Sequence, residues 1–452
     1  MKKIFLLMAV IFALSGCGST EETAREQENT ETVENIYAED AQQLVYAVRA
    51  AHPVFVLDKV TEKYETAEKE FLENAENAAD KNDFELMAQK YMASLDDEHT
   101  MPCPDFDNDK DSALANIRRY RLDLYCNYAD GKLYIRNDDG TSSDSCITAV
   151  QGVDIEKIFR TVRAYYPFEN RMSEEYYFRN MSLYRKILQL SGCDLTDEST
   201  EAEVVCSDRT FTAKFIDIYD GYYSDDYVKP ENLQVKLVND ILYIDSNSFM
   251  KKDEKYAAAV KEIQNYSQNG VNKIILDLRG NGGGYMDFAK DVLRAFGTNL
   301  PYGESIIRHS SEEWVTCIKD LKTAAEDKTY TTNAGSLNSA MVNPDIDLVV
   351  LCDINSFSAS VITCAGIQDG KIGTVIGRSS HNSPSLYASV LWYTLPNTGI
   401  KVQISSGYLK RADENAPQDI LIPDEEVGIY ENALKYAVEN HYKETFNESD
   451  WK

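Results

Sequence analysis

Apolar and polar residues are spaced differently in successive regions of the chain. In 41–51, 61–79 and 84–95 apolar residues recur at helical spacing with charged residues between them, which predicts helices. From 115 to 230, short apolar runs alternate with turn dipeptides such as Asp130-Gly131, which predicts mostly strands. The first half is therefore expected to hold a helical region followed by a β-rich one.

From about residue 233 strands and helices alternate regularly. Strand-like 235–238 and 241–244 come first, and the apolar runs 273–278 and 347–351 are each followed by a helical pattern. Strands joined by crossover helices predict a largely parallel, buried sheet. The fold class is therefore expected to be α/β.

The N-terminus has the pattern of an export signal. Lys2 and Lys3 precede an apolar run, 4–13, that is too short to span a bilayer comfortably. The run ends in Leu14-Ser15-Gly16-Cys17, and residues 18–35 are acidic and almost free of apolar side chains. Such a composition predicts a disordered tether.

Composition excludes some functions. The chain has 452 residues, 43% hydrophobic and 27% charged, with a net charge of −29. This charge argues against nucleic acid and against adhesion to anionic lipid. The cysteines form no C-x-x-C motif and no His-Cys cluster with metal spacing, so no zinc site is expected.

Cysteine pairing stays open at this level. An exported chain can form disulfides, and two pairs could link across hairpins, Cys126 with Cys146 or Cys193 with Cys206. Cys352 and Cys364 fall on a core strand and helix, where buried free thiols are the commoner arrangement.

Two segments have the pattern of a nucleophile site. The apolar run 348–351 turns abruptly into the serine-rich segment 353–360 and then into a helix. Strand 275–278 ends in Arg279-Gly280-Asn281-Gly282-Gly283-Gly284, a turn that can bring N–H groups close to a substrate. A hydroxyl at a helix N-terminus and nearby N–H donors are the parts of a serine nucleophile with an oxyanion hole.

These segments resemble the "DLRxNxGG" and "SASASE"-type motifs of the C-terminal processing (tail-specific) peptidase family. Leu95-Asp96-Asp97-Glu98-His99-Thr100 resembles the "DGHT" element of its tricorn-like branch. Residues 395–400, followed by 405–411 and 422–424, are similar to that branch's C-terminal signature. The resemblance covers about 85–428 and implies a Clp-protease/crotonase-like core; segment 147–155 resembles a hairpin of PDZ-like modules.

The resemblance also implies roles for residues. It places the attacking hydroxyl on Ser358, with Ser356 and Ser360 as alternatives if the alignment is shifted. The oxyanion hole would be the N–H groups of Ala359 and Gly283, although Gly282 or Gly284 could serve instead. Residues 14–17 resemble a bacterial lipoprotein signal, which implies a diacylglycerol thioether on Cys17.

The general base is expected to be a histidine. The position of the family's lysine falls on Ser383, whereas His99 matches the tricorn-like histidine. Imidazole accepts a proton near neutral pH. His381 is the reserve candidate, Glu414 is the nearest match to the distal glutamate that orients the base, and Glu98 departs from the branch's motif. The remaining histidines, at positions 52, 309 and 441, are interpreted as incidental.

The leading hypothesis is a serine endopeptidase, lipid-anchored to the cell membrane outside the cytoplasm, that acts on extended or unfolded polypeptide without a cofactor. One alternative is a catalytically silent peptide-binding lipoprotein of the same fold. A crotonase-type acyl-CoA enzyme is disfavoured because acyl-CoA is cytosolic.

The predicted organisation has six regions. A signal peptide (1–16) and an acidic tether (17–36) come first, followed by a helical region (37–100) and a β-rich module of PDZ-like or degenerate type (101–230). The catalytic core (231–428) and a helical tail (429–452) complete the chain.

Overall fold

The computed structural model describes most of the chain that follows the acidic segment. The described residues are 35–104, 112–219, 231–250, 252–301, 303–308, 330–332 and 337–451. Residues 36–452 form one compact unit. The predicted signal peptide, the tether and the lipidation site Cys17 lie outside the described residues. None of the described helices has the length and apolar content needed to cross a bilayer.

The N-terminal region is helical, as predicted. It consists of α1 (Ile36–Ala51), α2 (Glu62–Asn74) and α3 (Lys81–Ala93), with short 3-10 turns at Pro53–Phe55 and Ala75–Asn77. The side chains of Thr61 and Asp80 accept N–H groups from the first turns of α2 and α3 and so fix where these helices begin. A short strand, β1 (Met101–Pro102), follows.

The next region contains more helix than its sequence pattern predicts. Its strands form an antiparallel sheet in the order β2-β8-β7-β5-β4-β3, and β6 pairs with β5. The strands are β2 (Tyr120–Leu122), β3 (Cys126–Ala129), β4 (Lys132–Arg136), β5 (Ser142–Val150), β6 (Val153–Asp154), β7 (Glu201–Cys206) and β8 (Thr210–Asp217). The helices are α4 (Ala113–Ile117), α5 (Ile155–Tyr165), α6 (Met172–Met181) and α7 (Arg185–Leu190).

These helices cover one face of that sheet. Ile158, Phe159 and Phe178 from α5 and α6 join Leu133 and Val150 from the strands in one apolar cluster. The prediction of strands in 115–230 is correct for β2 to β8 but misses α5, α6 and α7, because short apolar runs do not distinguish helices from strands.

The core is the predicted α/β sheet. Its order is β18-β15-β14-β11-β10-β9, parallel throughout except that β9 runs antiparallel to β10. The strands are β9 (Leu233–Val238), β10 (Ile241–Ser246), β11 (Lys273–Asp277), β14 (Asp347–Cys352), β15 (Thr374–Gly377) and β18 (Glu425–Glu426), and the helices are α8 (Glu254–Gln268), α9 (Met286–Ala295) and α10 (Ala359–Asp369).

A second antiparallel sheet connects the N-terminal region to the core. Its strands are β1, β12 (Ser305–Ile307), β13 (Tyr330–Thr332), β16 (Leu386–Thr394) and β17 (Lys401–Leu409), and β17 pairs with β1, β12 and β16. Leu44 of α1 and Phe84 of α3 pack with Val402 and Ile404 of β17 in one apolar cluster. The end of α3 is thereby held close to the core.

The C-terminal tail packs on the other face of the core sheet. It contains α11 (Ala433–Tyr436), a π-helical turn (Ala437–His441) and α12 (Glu448–Trp451). Val438 and Trp451 pack with Ile275 and Val349 of the sheet.

The described cysteines are all free thiols. Neither of the two hairpin pairings considered from the sequence is formed. Cys352 and Cys364 are both fully buried, as predicted. The neighbouring Cys364 thiol, which hydrogen-bonds Cys352, and burial together raise the pKa of Cys352 well above its ordinary value, so this thiol stays protonated and unreactive.

Gly377, the last residue of β15, allows a test of the backbone conformation at the end of this strand. It has a φ of +139°, and a Cβ there would overlap the carbonyl oxygen of Cys352. We expect Gly377→Ala to cost about 3 kcal/mol or more in the free energy of unfolding, since both conformation and space oppose it. Gly399→Ala is the control: φ is +71° with no atom within 4 Å of a Cβ, so it should cost only about 1–2 kcal/mol. Equal losses in urea titrations would contradict this expectation.

Candidate active site

Ser358 lies where β14 gives way to α10. It is the N-terminal flanking residue of this helix, with φ 54° and ψ −121°, a conformation that non-glycine residues rarely adopt. Its backbone N–H donates to Asn382 Oδ1 at 2.6 Å, which helps to hold the turn. A serine on a sharp, strained strand-to-helix turn presents its hydroxyl outward from the sheet, as nucleophilic serines do.

The neighbouring serines have structural roles. The Ser356 hydroxyl donates to the carbonyl oxygen of Leu278 at 2.8 Å, and the Ser360 hydroxyl donates to that of Asn281 at 3.0 Å. Both residues are fully buried. Their hydroxyls tie the serine-rich segment to the glycine-rich turn, so Ser358 is the one whose hydroxyl faces a histidine.

His99 sits in a tight turn between α3 and β1. Asp97 Oδ1 accepts the backbone N–H of His99 at 2.9 Å, and the Thr100 N–H donates to the Asp97 carbonyl oxygen. Two bonds fasten this turn to β17: Gln403 Nε2 donates to the His99 carbonyl oxygen at 2.8 Å, and the Ser405 N–H donates to Thr100 Oγ1 at 2.9 Å. The position of the imidazole is thus set by the backbone on both sides.

The structure brings the predicted serine and histidine into contact. His99 Nε2 lies 2.9 Å from Ser358 Oγ, although 259 positions separate them in sequence. The imidazole also stacks on the Phe357 ring at a centroid distance of 4.8 Å. His99 is buried and Ser358 half-buried. This distance is within the range in which a base takes a proton from a hydroxyl.

The glycine-rich turn packs directly against the serine. Gly283 has a φ of +81°, and a Cβ there would lie 2.8 Å from the Ser358 Cβ, so only glycine fits. However, its N–H donates to Asn281 Oδ1 at 2.8 Å. The prediction of Gly283 as a free oxyanion donor therefore needs correction. The other predicted donor, the N–H of Ala359, is the first of α10, where no helical carbonyl can accept it.

His381, the reserve base, has both ring nitrogens engaged. Its Nδ1 lies 2.5 Å from the Ile354 carbonyl oxygen and its Nε2 lies 2.9 Å from Glu98 Oε2. The Tyr176 ring stacks on it at 3.6 Å. Burial lowers the pKa of His381 to about 4. His381 is therefore unsuited to act as the base.

Glu98 is neither solvated nor in contact with the serine. Burial raises the pKa of Glu98 well above its ordinary value. Because only an N–H can bond the Ile354 carbonyl, the proton of neutral His381 is on Nδ1, and Nε2 must accept. The raised pKa of Glu98 and the lowered pKa of His381 both favour a neutral pair, in which Glu98 donates to His381 Nε2.

Glu414, predicted to orient the base, lies elsewhere. It is exposed in the loop after β17, and its charge acts on Lys410. The acidic side chains beside His99 are Asp97 and Glu169, so the assignment of Glu414 is corrected. The loose sequence spacing around Glu414 could not show which way this loop turns.

Glu169 was not identified from the sequence. Its Oε1 accepts the Glu98 N–H at 3.0 Å, and its Oε2 accepts Asn382 Nδ2 at 2.7 Å and the Ser383 N–H at 3.1 Å. Burial raises the pKa of Glu169 to about 8. It lies between α5 and α6, where no sequence motif marks it. Ser383, at the position of the family's lysine, donates its hydroxyl to the Asp419 carbonyl oxygen.

Among the described residues, Asp97, His99 and Glu169 are close enough to hold a metal ion, with ligand atoms within 4.8 Å of one another. Their oxygens already accept hydrogen bonds from protein groups, and His99 Nε2 faces Ser358. The arrangement suits proton transfer better than metal binding.

Known proteins resemble this chain in sequence over part of its length and in fold. The model of "Peptidase family S41" matches residues 240–427. Mature CPAF is similar to this chain with a TM-score of 0.52 and 11% identity, over 86% of this chain and 93% of that one. Its complex with lactacystin gives a TM-score of 0.53 and 12% identity over 86% and 94%.

The photosystem II D1 C-terminal processing protease also matches, with a TM-score of 0.41 and 14% identity over 86% of this chain and 92% of that chain. No curated protein sequence matches the chain. With a sequence identity of 11%, the structural similarity to CPAF establishes only the fold, which is a Clp-protease/crotonase-like core.

The Glu98–His381 pair predicts a pH effect on stability. The pKa of Glu98 is raised in the folded state, so its contribution is full below its unfolded pKa and is lost as pH rises towards the folded value. Glu98→Gln keeps a donor to His381 and removes this titration. We therefore expect the variant to gain stability over wild type as pH rises above the ordinary pKa of a glutamic acid, because only the wild type must then keep a buried carboxyl group protonated or charged. Urea unfolding at several pH values measures this; a pH-independent difference would argue against a protonated Glu98.

Proposed function

Because residues 240–427 form a peptidase family S41 domain, we propose that the protein is a serine endopeptidase in which Ser358 is the nucleophile and His99 the general base. One observation carries the proposal: the 2.9 Å contact between His99 Nε2 and Ser358 Oγ. Ser356 and Ser360, the alternative nucleophiles, bond to backbone carbonyls instead.

The chemistry is acyl transfer. Ser358 Oγ attacks the scissile carbonyl carbon while its proton passes to His99 Nε2, which gives a tetrahedral oxyanion. Collapse breaks the C–N bond, and the imidazolium protonates the leaving amine. Water, deprotonated by His99, then attacks the acyl ester, and the proton returns to Ser358 as the carboxylate leaves.

The oxyanion would be stabilised by N–H groups at the start of α10. The Ala359 N–H is the first donor, and the helix dipole favours negative charge there. A second donor must come from the glycine-rich turn. If Gly283 serves, its N–H must exchange Asn281 Oδ1 for the oxyanion when substrate binds.

The proposed substrate is extended or unfolded polypeptide. Ser358 is only half-buried, but its partner His99 is buried and the Phe357 ring lies against it. An extended segment, docked as an added strand, would present a backbone carbonyl to such a hydroxyl.

A silent peptide-binding protein is the second candidate, and the engaged N–H of Gly283 favours it. The departure from the family motif at Glu98 does not favour this candidate, because the Glu98 side chain bonds to His381 and the Ser358 hydroxyl still contacts His99.

We further propose that the chain is anchored to a membrane, outside the cytoplasm, by lipid on Cys17. The support is the signal-like segment 2–16, followed by an acidic stretch suited to a tether. This location keeps an endopeptidase away from cytosolic proteins.

Ser358→Ala and His99→Ala are each expected to lower kcat for hydrolysis of an unfolded protein such as casein by on the order of 10⁴-fold, because either removes the proton-transfer pair. The double variant should be little worse, since members of one catalytic unit are not additive. His441→Ala is the matched control and should keep wild-type activity. It removes a histidine of the C-terminal tail that pairs with Asp347 of β14. Full activity in His99→Ala would exclude His99 as the base.

Cys17→Ser is expected to move the protein from the membrane fraction to the soluble fraction and to abolish incorporation of labelled fatty acid, because the lipid is the proposed anchor. Thr20→Ala, in the same segment, should behave like wild type. A processed Cys17→Ser protein that stays membrane-bound would contradict the anchor but leave the catalytic proposal untouched.

A further inference from the structure

His52 and Asp97 form a fully buried pair behind His99. His52 Nε2 lies 3.0 Å from Asp97 Oδ2, and His52 Nδ1 accepts the N–H of Val54 at 3.2 Å. Because Nδ1 accepts, the ring proton is on Nε2, and His52 donates it to Asp97. The histidine interpreted as incidental from the sequence thus has one defined tautomer.

Asp97 is held as an anion without solvent. It accepts hydrogen bonds from His52, from Thr100 Oγ1 at 2.5 Å and from the His99 backbone N–H at 2.9 Å. Burial raises the pKa of Asp97, but the His52 and His99 side chains beside it outweigh this effect and hold the pKa below its ordinary value. A buried carboxylate stays charged only with such partners.

The charge on Asp97 faces the free side of the proposed base. Asp97 Oδ1 lies 3.7 Å from His99 Nδ1, which has no hydrogen-bond partner among the described residues. If Nε2 is to accept the serine proton, Nδ1 must carry the ring proton, and the adjacent anion favours that tautomer and the imidazolium that forms.

We propose that His52 is a positioning residue of the catalytic centre, which acts through Asp97 on His99. This inference rests on the proposed Ser358–His99 chemistry. By donating to Oδ2, His52 fixes the carboxylate so that Oδ1 is turned towards His99 Nδ1. The chain of contacts runs from the end of α1 to the nucleophile at α10.

Glu169 is the competing candidate. One of its oxygens lies within 4.8 Å of a His99 ring nitrogen. However, its oxygens accept three N–H groups from Glu98, Asn382 and Ser383, and its raised pKa of about 8 reduces its charge at neutral pH. Asp97, which is fully buried and paired, carries the more dependable charge.

Two substitutions separate the two roles of His52. His52 also caps the 3-10 turn at Pro53–Phe55 through Nδ1. In His52→Asn the amide oxygen takes the place of Nδ1, so the cap is kept and the donor to Asp97 is lost. In His52→Gln the amide nitrogen takes the place of Nε2, so the donor is kept and the cap is lost.

The inference predicts opposite results for these variants. Relative to wild type, His52→Asn should lower kcat about 10–100-fold with KM nearly unchanged, the range typical for residues that orient a reacting group. His52→Gln should recover most of that loss. A purely structural role predicts the reverse order, with His52→Asn close to wild type.

Asp97→Asn provides a second, independent measurement. If His52 acts through Asp97, the double variant His52→Asn/Asp97→Asn should have a kcat close to that of Asp97→Asn alone, because the two residues form one unit. Glu169→Gln should keep most activity. Thermal unfolding of each variant shows that the compared proteins are folded.

The outcomes distinguish this inference from the proposed function. Ser358-dependent hydrolysis in wild type together with wild-type kcat in His52→Asn overturns the positioning role only. Additive losses in the double variant, or a large loss of kcat in Glu169→Gln alone, would also overturn that role and leave the proposed function intact. A wild-type protein without Ser358-dependent hydrolysis overturns the proposed function and the inference with it.

Discussion

The contact between Ser358 and His99 depends on the packing of the N-terminal helices on the second sheet. Ser358 belongs to the α/β core, whereas His99 follows α3 and reaches the serine because β1 pairs with β17. The apolar faces of α1 and α3 stabilise this arrangement by burying residues such as Leu44 and Phe84 against β17.

Around this contact the buried ionisable groups reach low-energy states in two different ways. The raised pKa of Glu98 and the lowered pKa of His381 favour a neutral pair joined by one hydrogen bond. In such a pair neither side chain has to carry a desolvated charge. Asp97 stays charged, supported by three donors. The difference places a stable negative charge, that of Asp97, next to His99, where an imidazolium would form.

Local patterns predicted the core well and the residues that support His99 poorly. Helices follow β11 and β14 as predicted, and the serine-rich and glycine-rich segments meet at the site. Glu169 and His52 were missed because their roles depend on contacts with residues distant in sequence, which periodicity does not encode. Glu414 was assigned as the nearest match to the family's distal glutamate, but in the structure it is exposed to solvent.

The central claim is that His99 activates Ser358 for acyl transfer. The most direct measurement is mass spectrometry after treatment with a serine-reactive fluorophosphonate, with the modified peptide mapped and its rate of formation followed. The proposed chemistry predicts one adduct, on Ser358, that forms on the order of 10³-fold more slowly in His99→Ala. An adduct on Ser356 or Ser360, or an unchanged rate in His99→Ala, would contradict it.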